Sequence, residues 1–272
     1  MWIAIAVLVV LAVLWLALIT PARCANAQRA PFRNRTYAHR GLYEKDQSVP
    51  ENSLQAFRNA AQAGYGVELD VQLTKDKVVV VFHDDDLKRV CGVDARVDAY
   101  TFEELQSMPL FGTAHRIPTF TDVLDALGGK APVIVELKSG GDWKNLCPLT
   151  LKILEAYEGD YCIESFHPLP VRWFYRNAPG VLRGQLSEAY RYSSKSMPWY
   201  QSLLMSRLLT NILAHPQFIA YRIGPKCLSV RIAEAMGAMR VAWTARDPGG
   251  HAALAKRNDA VIFEHYRPDT RF

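Results

Sequence analysis

The sequence predicts an α/β chain in which one membrane-spanning helix precedes a closed (β/α)8 TIM barrel carrying an extra β-hairpin return strand. Three observations carry that prediction. The amino terminus holds eighteen consecutive apolar residues, the remainder alternates short β-rich runs with helical patterns, and one pair of runs lies too close together for a parallel crossover. The 272 residues allow one large domain or two small ones, and with 50% of them hydrophobic and 22% charged, extended disorder is excluded.

The first element is the apolar run. Every residue from Trp2 to Ile19 is apolar, and at about 1.5 Å per residue the run forms a helix of roughly 27 Å, close to the thickness of a bilayer core. A buried helix of a soluble protein shows a polar face, and this one has none. A cleavable signal peptide has a basic leading region, a shorter apolar core and a small-residue cleavage site. No Lys or Arg precedes this run, although Ala25-Asn26-Ala27 is a weak cleavage sequence, and Arg23 before Cys24 does not suit a lipoprotein attachment site. Residues 2–19 are therefore read as an uncleaved single-pass anchor, 20–34 as a juxtamembrane linker and 35–272 as one folded domain. Arg23, Arg29, Arg33 and Arg35 follow the span before the first acidic residue, Glu44. Basic flanks sit on the cytoplasmic side, so the domain is expected to face the cytoplasm.

Beyond the linker, strand runs fall at 36–38, 66–73, 77–82, 133–137, 161–166, 182–186, 218–222, 240–244 and 260–263, with room for helices between them. The helix at 53–63 keeps Leu54, Phe57 and Ala61 on one face, with Asn52 or Ser53 as its cap. Runs 66–73 and 77–82 are joined by Thr74-Lys75-Asp76 alone, which forces an antiparallel hairpin because a parallel crossover needs a dozen or more residues. Setting the return strand aside leaves eight β–α units, the count of a closed barrel.

Composition removes several function classes. A net charge of +5 with no basic stripe or recognition motif argues against nucleic acid as a partner. Five scattered cysteines without a CxxC pair argue against a disulfide scaffold or a zinc site. In a (β/α)8 barrel the chemistry lies at the carboxyl ends of the strands. There the sequence places His39-Arg40, the i, i+2 carboxylates Glu68 and Asp70, the i, i+2 pair Glu136 and Lys138, and His83 at the end of the return strand. Centring the hairpin on Lys75-Asp76 sets His83 across from Glu68, to within one register step. Three hard oxygen donors suit Mg²⁺ or Ca²⁺, Arg40 and Lys138 suit an anionic oxygen such as phosphate, and two histidines suit general acid and base work. The polar pair on a barrel strand is buried on both faces, so Glu68 and Asp70 need a metal or cations.

The ordered set His39-Arg40-Gly41, Pro50-Glu51-Asn52-Ser53, Glu68 through Asp76, Phe82-His83-Asp84, Ile117-Pro118-Thr119-Phe120, Glu136-Leu137-Lys138, Ser165-Phe166 and Trp243-Thr244 resembles the glycerophosphodiester phosphodiesterase family. It runs from about residue 36 to 266. The resemblance implies a metal-dependent barrel that hydrolyses glycerophosphodiesters to glycerol 3-phosphate and an alcohol. It implies His39 and His83 as the acid and base pair, Glu68, Asp70 and Glu136 around one divalent metal, and Arg40 and Lys138 on the phosphate. It further implies attack by the glycerol 2-hydroxyl to give a cyclic phosphate that water opens. The last strand reads Val261-Ile262-Phe263-Glu264-His265 where many relatives carry a Thr-Asp pair, a departure at the substrate contacts.

Supporting roles are weighed against plain structural ones. Glu51 either orients the site or starts the helix at 53–63; Trp243 and Phe166 are either substrate wall or core. His115, His167, His215, His251 and His265 are read as structural. Between 187 and 217, Trp199, Leu203, Leu204, Leu208, Leu209, Ile212 and Leu213 form an apolar stripe. It either covers the barrel or lies on a membrane, with Tyr190, Tyr192 and Met197 at headgroup level. The alternatives to a small-molecule glycerophosphodiester hydrolase are a lysophospholipase D acting on lysolipids and an inactive binding module for phosphodiesters or lipids. The intact histidine pair speaks against the last.

Overall fold

The computed structural model describes residues 1–138, 140–190 and 198–269. Strands β1 (Arg35–His39), β2 (Gly66–Leu73), β4 (Val133–Leu137), β5 (Tyr161–Ser165), β6 (Leu182–Ser187), β7 (Phe218–Arg222), β8 (Met239–Ala245) and β9 (Ala260–Phe263) run parallel. Strand β1 pairs with both β9 and β2, which closes the eight into a barrel. The expected hairpin is present: β3 (Val79–Val81) runs antiparallel to the outer end of β2. Its register pairs Val71 with Val81, and the Phe82 amide donates to the Asp70 carbonyl, so His83 aligns with Leu69 and not with Glu68. The one-residue slip arises because the turn takes in Lys77, whose left-handed backbone (φ 65°) lengthens the loop.

Alternation along the strands sorts side chains by face. Val67, Leu69 and Val71 of β2 and Val133, Val135 and Leu137 of β4 point outward against helices, where they pack with Phe57 of α2 (Leu54–Gln62) and Phe120 and Leu124 of α3 (Phe120–Leu127). Helices α4 (Trp143–Leu154) and α5 (Pro168–Asn177) add Leu146 and Phe174 to the same layer. Tyr37, Ile134, Cys162, Leu182, Phe218, Val241 and Ile262 fill the barrel interior. Space for Phe218 exists only because β6 carries Gly184, where an added Cβ would stand 2.0 Å from its ring. The α2 helix starts as expected, with the Ser53 hydroxyl accepting from the Ala56 amide.

The amino-terminal helix α1 (Trp2–Ile19) projects from the barrel with only its last turn covered, Ile19 being fully buried. Residues 20–34 lie on the amino-terminal end of the barrel, opposite the strand ends that carry chemistry. Phe32 enters the interior cluster, the Ala22 amide donates to the Pro216 carbonyl (2.8 Å), Gln28 donates to Gly180 (2.9 Å), and Arg33 pairs with Asp259 (2.8 Å).

The apolar stripe at 199–213 is not one helix. It breaks into α6 (Trp199–Ser206) and α7 (Asn211–Ala214), because Leu208 adopts a left-handed backbone (φ 56°) and is buried against Ile219, Tyr221 and Val230. Val230 belongs to α8 (Leu228–Ala235), and α9 (Pro248–Arg257) precedes the last strand. Tyr192 and Met197 fall outside the described residues.

Candidate active site

The inward positions at the carboxyl ends of the strands are charged. His39 ends β1, and the chain then turns through Arg40 (φ 58°) and Gly41 (φ 81°). A Cβ at Gly41 would stand 2.9 Å from Ala56, so only glycine lets the turn sit on α2. The i, i+2 spacing on β2 turns Glu68 and Asp70 inward, and pairing with β4 sets Asp70 beside Glu136. One carboxylate oxygen from each of Glu68, Asp70 and Glu136 lies within 4.8 Å of the others, and all three residues are buried. The sequence expectation of a three-carboxylate cluster is met by the geometry.

That cluster is electrostatically unequal. Burial, then repulsion from Asp70, Glu136 and Glu164, pushes the Glu68 carboxyl well above its usual value. Burial also raises Glu136, against the pull of Lys138. Burial opposes ionisation of Asp70 too, but His83, Lys138 and Arg40 together with a hydrogen bond from Asn52 (3.0 Å) hold it well below the carboxylate range. Three buried hard oxygen donors, two of them raised by burial first and by repulsion from neighbouring carboxylates second, are able to hold one divalent cation, which would offset both.

Each histidine is tied to a carboxylate through Nδ1. His39 Nδ1 lies 2.5 Å from Glu264 Oε2, and His83 Nδ1 lies 2.6 Å from Asp84 Oδ1. Nε2 is thereby the ring nitrogen left for other work, and in His39 it stands 3.9 Å from Glu68 Oε2. Burial lowers the His39 pKa, partly offset by the Glu264 bond. Glu264 in turn is held by the Tyr43 hydroxyl (3.2 Å) and the Arg246 guanidinium. Burial opposes its ionisation, but the His39 and Arg246 contacts keep its carboxyl well below the ordinary range.

Arg40 donates to Glu51 (2.7 Å), and Glu51 also receives two bonds from Arg89 (2.7 and 3.1 Å), which reaches Asp84 at 2.6 Å. A chain of alternating charges thus links His83 to Arg40 through Asp84, Arg89 and Glu51. Glu51 orients side chains; it does more than open α2. The Arg40 Nε is buried without a hydrogen bond and faces Asp70 Oδ2 at 3.8 Å, on a residue that lines the central cavity.

That cavity measures about 350 Å³. His39, Arg40, His83, Glu68 and Glu136 line one side; Phe166, Leu186, Ile223 and Trp243 line the other. Phe166 meets Trp243 edge to face at 5.7 Å, and the indole donates to the Ala220 carbonyl (3.0 Å), so both are wall residues anchored in the interior. Lys138 is not on the wall. Its ammonium sits 3.0 Å from Glu136 and 3.4 Å from Asp70.

Four contributors lie outside the sequence-based site set. Glu264 and Arg89 act through pairing with residues far along the chain, whereas Asp84 pairs with the adjacent His83, a place that was itself a signal. Glu164 is the cross-strand partner of Glu136 in β5, is 1% exposed, lines the cavity and leaves Oε2 without a partner. Its i, i+2 relation to Cys162, an interior residue, marked it as inward-facing. The five histidines read as structural stay off the cavity wall; His167, for example, caps α5 by accepting from the Leu169 amide.

The profile of the Glycerophosphoryl diester phosphodiesterase family matches residues 39–267. A glycerophosphodiester phosphodiesterase from Caldanaerobacter subterraneus subsp. tengcongensis is 33% identical over 179 residues, 62% of this chain and 71% of that protein. A human lysophospholipase D is 44% identical over 82 residues, 29% of this chain and 25% of that protein. Among solved structures, a phosphodiesterase from Oleispira antarctica in complex with the product sn-glycerol-3-phosphate superimposes with a TM-score of 0.70 at 23% identity. That alignment covers 87% of this chain and 94% of that one.

Proposed function

Since the chain belongs to the glycerophosphoryl diester phosphodiesterase family and is by that membership a phosphoric diester hydrolase, we propose that it hydrolyses glycerophosphodiesters to glycerol 3-phosphate and an alcohol at the cavity between β1 and β8. The observation that carries this reading is that His39 and His83, each with Nδ1 held by its own carboxylate, line one cavity beside the three-carboxylate cluster.

Glu68, Asp70 and Glu136 would hold one Mg²⁺ or Ca²⁺ ion, which when bound supplies positive charge to the phosphoryl oxygens. Arg40, which lines the cavity, binds the phosphate through its guanidinium and remains oriented by Glu51. Lys138 contacts both Asp70 and Glu136, so it favours the ionised form of Asp70 and partly offsets the rise that burial gives Glu136, besides serving the phosphate as the second cation after Arg40. One imidazole takes the proton of the glycerol 2-hydroxyl as its oxygen bonds to phosphorus. The other gives its proton to the departing alkoxide as that P–O bond breaks. Water then opens the cyclic phosphate with the two roles exchanged, which restores both rings. Preset donors around the phosphate stabilise the charge that grows on its oxygens.

Residues 2–19 form a single-pass anchor, 20–34 join it to the base of the barrel, and 35–272 form the catalytic domain on the cytoplasmic side, as the four arginines after the span favour. The apolar residues beside the cavity and the resemblance to a lysophospholipase D favour a second reading, hydrolysis of lysolipids by the same chemistry.

The test is release of glycerol 3-phosphate from glycerophosphocholine and glycerophosphoethanolamine by the full chain, with Mg²⁺, Ca²⁺ or chelator. Metal-dependent release that vanishes in His39→Ala is expected. No release from either diester, with release from a lysolipid, moves the substrate to the second reading; silence on all three sinks both.

A further inference from the structure

We propose that the flank of the barrel formed by α6, α7 and α8 rests on an anionic lipid bilayer beside the point where α1 enters it, so that the β6–β7 rim of the cavity opens at the lipid–water interface. The proposal rests on the reading of α1 as a membrane span. Beyond residue 19, the large apolar side chains exposed among the described residues are Tyr175 and ten others, and those ten all lie between residues 190 and 236. Trp199 is 67% exposed and Leu228 63%, with Tyr200, Leu204, Ile212 and Leu213 close behind. Even Tyr175 stacks on His215, next to α7. Helices α2 to α4 and α9 place no large apolar residue in this class. A concentrated apolar patch marks an interaction surface.

Two observations identify the occupant as a bilayer. The last turn of α1 packs against α7 and α8, and Asn211 Nδ2 donates to the Ile19 carbonyl (2.9 Å), so the span is held to this flank. Charge agrees in sign: from 198 to 240 the sequence has five basic residues against one acidic residue, Glu234. Although Arg222, Lys226 and Arg240 pair with Glu188, Glu234 and Asp259, Arg207 and Arg231 have no carboxylate within ion-pair distance among the described residues. Aromatic and aliphatic groups mixed with arginine suit the headgroup zone of an anionic leaflet.

The flank also reaches the cavity. Ile223 is 39% exposed and lines the cavity together with Leu186 and Arg222. The end of α6 is tied to the mouth, where the Ser187 hydroxyl donates to Met205 and the Cys227 thiol to Ser206. An amphiphilic phosphodiester with one aliphatic chain would therefore enter with its glycerophosphoryl head toward Arg40 and its chain along Leu186 and Ile223.

Tryptophan quenching tests the placement in the full chain, held in nanodiscs of phosphatidylcholine and phosphatidylglycerol with 5-doxyl acyl chains. W2F and W15F silence the tryptophans of the span, leaving Trp199 exposed and Trp143, Trp173 and Trp243 half-buried. Emission is expected to be quenched by the doxyl lipid, and that quenching to disappear on adding W199F. Unquenched Trp199 in discs that retain the chain overturns the docking and leaves the anchor standing. Release of the chain from membranes by alkaline carbonate overturns the anchor, and the docking with it. As a second measure, L204E/L213E is expected to cut turnover of lysophosphatidylcholine in the same discs by roughly tenfold while glycerophosphocholine turnover stays within about twofold. Equal loss on both, or on neither, counts against the proposal. A wild-type chain inactive on both diesters sinks the activity reading, and the quenching result still decides the docking.

Discussion

The wall of the cavity built by β1, β2 and β4 and the wall built by β6, β7 and β8 share a space of about 350 Å³ but are held by different forces. On the first, charged groups are cross-braced: His39 to Glu264, His83 to Asp84, Arg40 to Glu51, and Asp70 to both Asn52 and Lys138. On the second, Leu186, Ile223, Phe166 and Trp243 meet the cavity through apolar surface, with Trp243 fixed by one bond to a backbone carbonyl, and Arg222, paired with Glu188, adds a charged group beside them. Buried charges tolerate no loss of a partner, whereas apolar contacts change affinity in small steps. On the proposed function, the difference assigns the reaction to the first wall and the choice of alcohol to the second, an assignment open to test by substitution.

The largest effect is expected where the charged wall meets the proton transfers. His39→Ala and His83→Ala should each lower kcat/KM by on the order of 10³-fold; His83→Ala should leave thermal unfolding almost unchanged, whereas His39→Ala should also lower Tm, because buried Glu264 loses a partner. If either variant keeps most of its turnover, the charged wall is not the reacting wall. Next comes the carboxylate cluster. Glu68→Gln should lose activity about 100-fold, yet unfold at a higher temperature than the wild type in chelator, since it removes a carboxyl whose ionisation burial and repulsion oppose. Added Mg²⁺ or Ca²⁺ should raise the wild-type Tm and leave the variant nearly unmoved. A variant less stable than wild type in chelator would mean the cluster is braced without a cation.

Glu264→Gln should have a middling effect, about 10- to 100-fold on kcat, as His39 loses its orienting partner. The sign of its pH dependence is set. The folded carboxyl lies below its usual 4.5, so its stabilisation is complete above that value and is lost as pH falls below it. Unfolding curves of the wild type and variant should therefore converge on acidification; a gap that widens at low pH contradicts the pairing. The smallest change is expected on the apolar wall. Phe166→Leu should shift KM between glycerophosphocholine and glycerophosphoethanolamine by several-fold with kcat nearly constant. A collapse of kcat there would erase the distinction between the walls.

Much of this division was legible in the chain. The runs 66–73, 133–137, 218–222 and 260–263 coincide with strands β2, β4, β7 and β9: β4, β7 and β9 are mainly apolar because both their faces are buried, and β2 alternates apolar with polar residues. The i, i+2 carboxylates of β2 announced their common face for the same reason. What stayed hidden lies across the barrel. Nothing local links Glu264 to His39, 225 positions away, or Arg89 to Glu51, and the barrel's closure alone sets β9 beside β1. The break of the apolar stripe at Leu208 was equally hidden, since its cause is the slot between β7 and α8.

By itself the sequence determined the apolar span, the order of strands, the hairpin and the inward parity of Glu68, Asp70 and Glu136, because each follows from spacing along a few consecutive residues. Only the tertiary structure decided that Glu264 backs His39, that Lys138 braces carboxylates, that Glu164 joins the cavity and that the span leaves beside α7 and α8. Those facts depend on the stagger at which eight strands close and on which helix face each loop leaves open. No short stretch of chain encodes a distance between residues that meet only when the ring is shut.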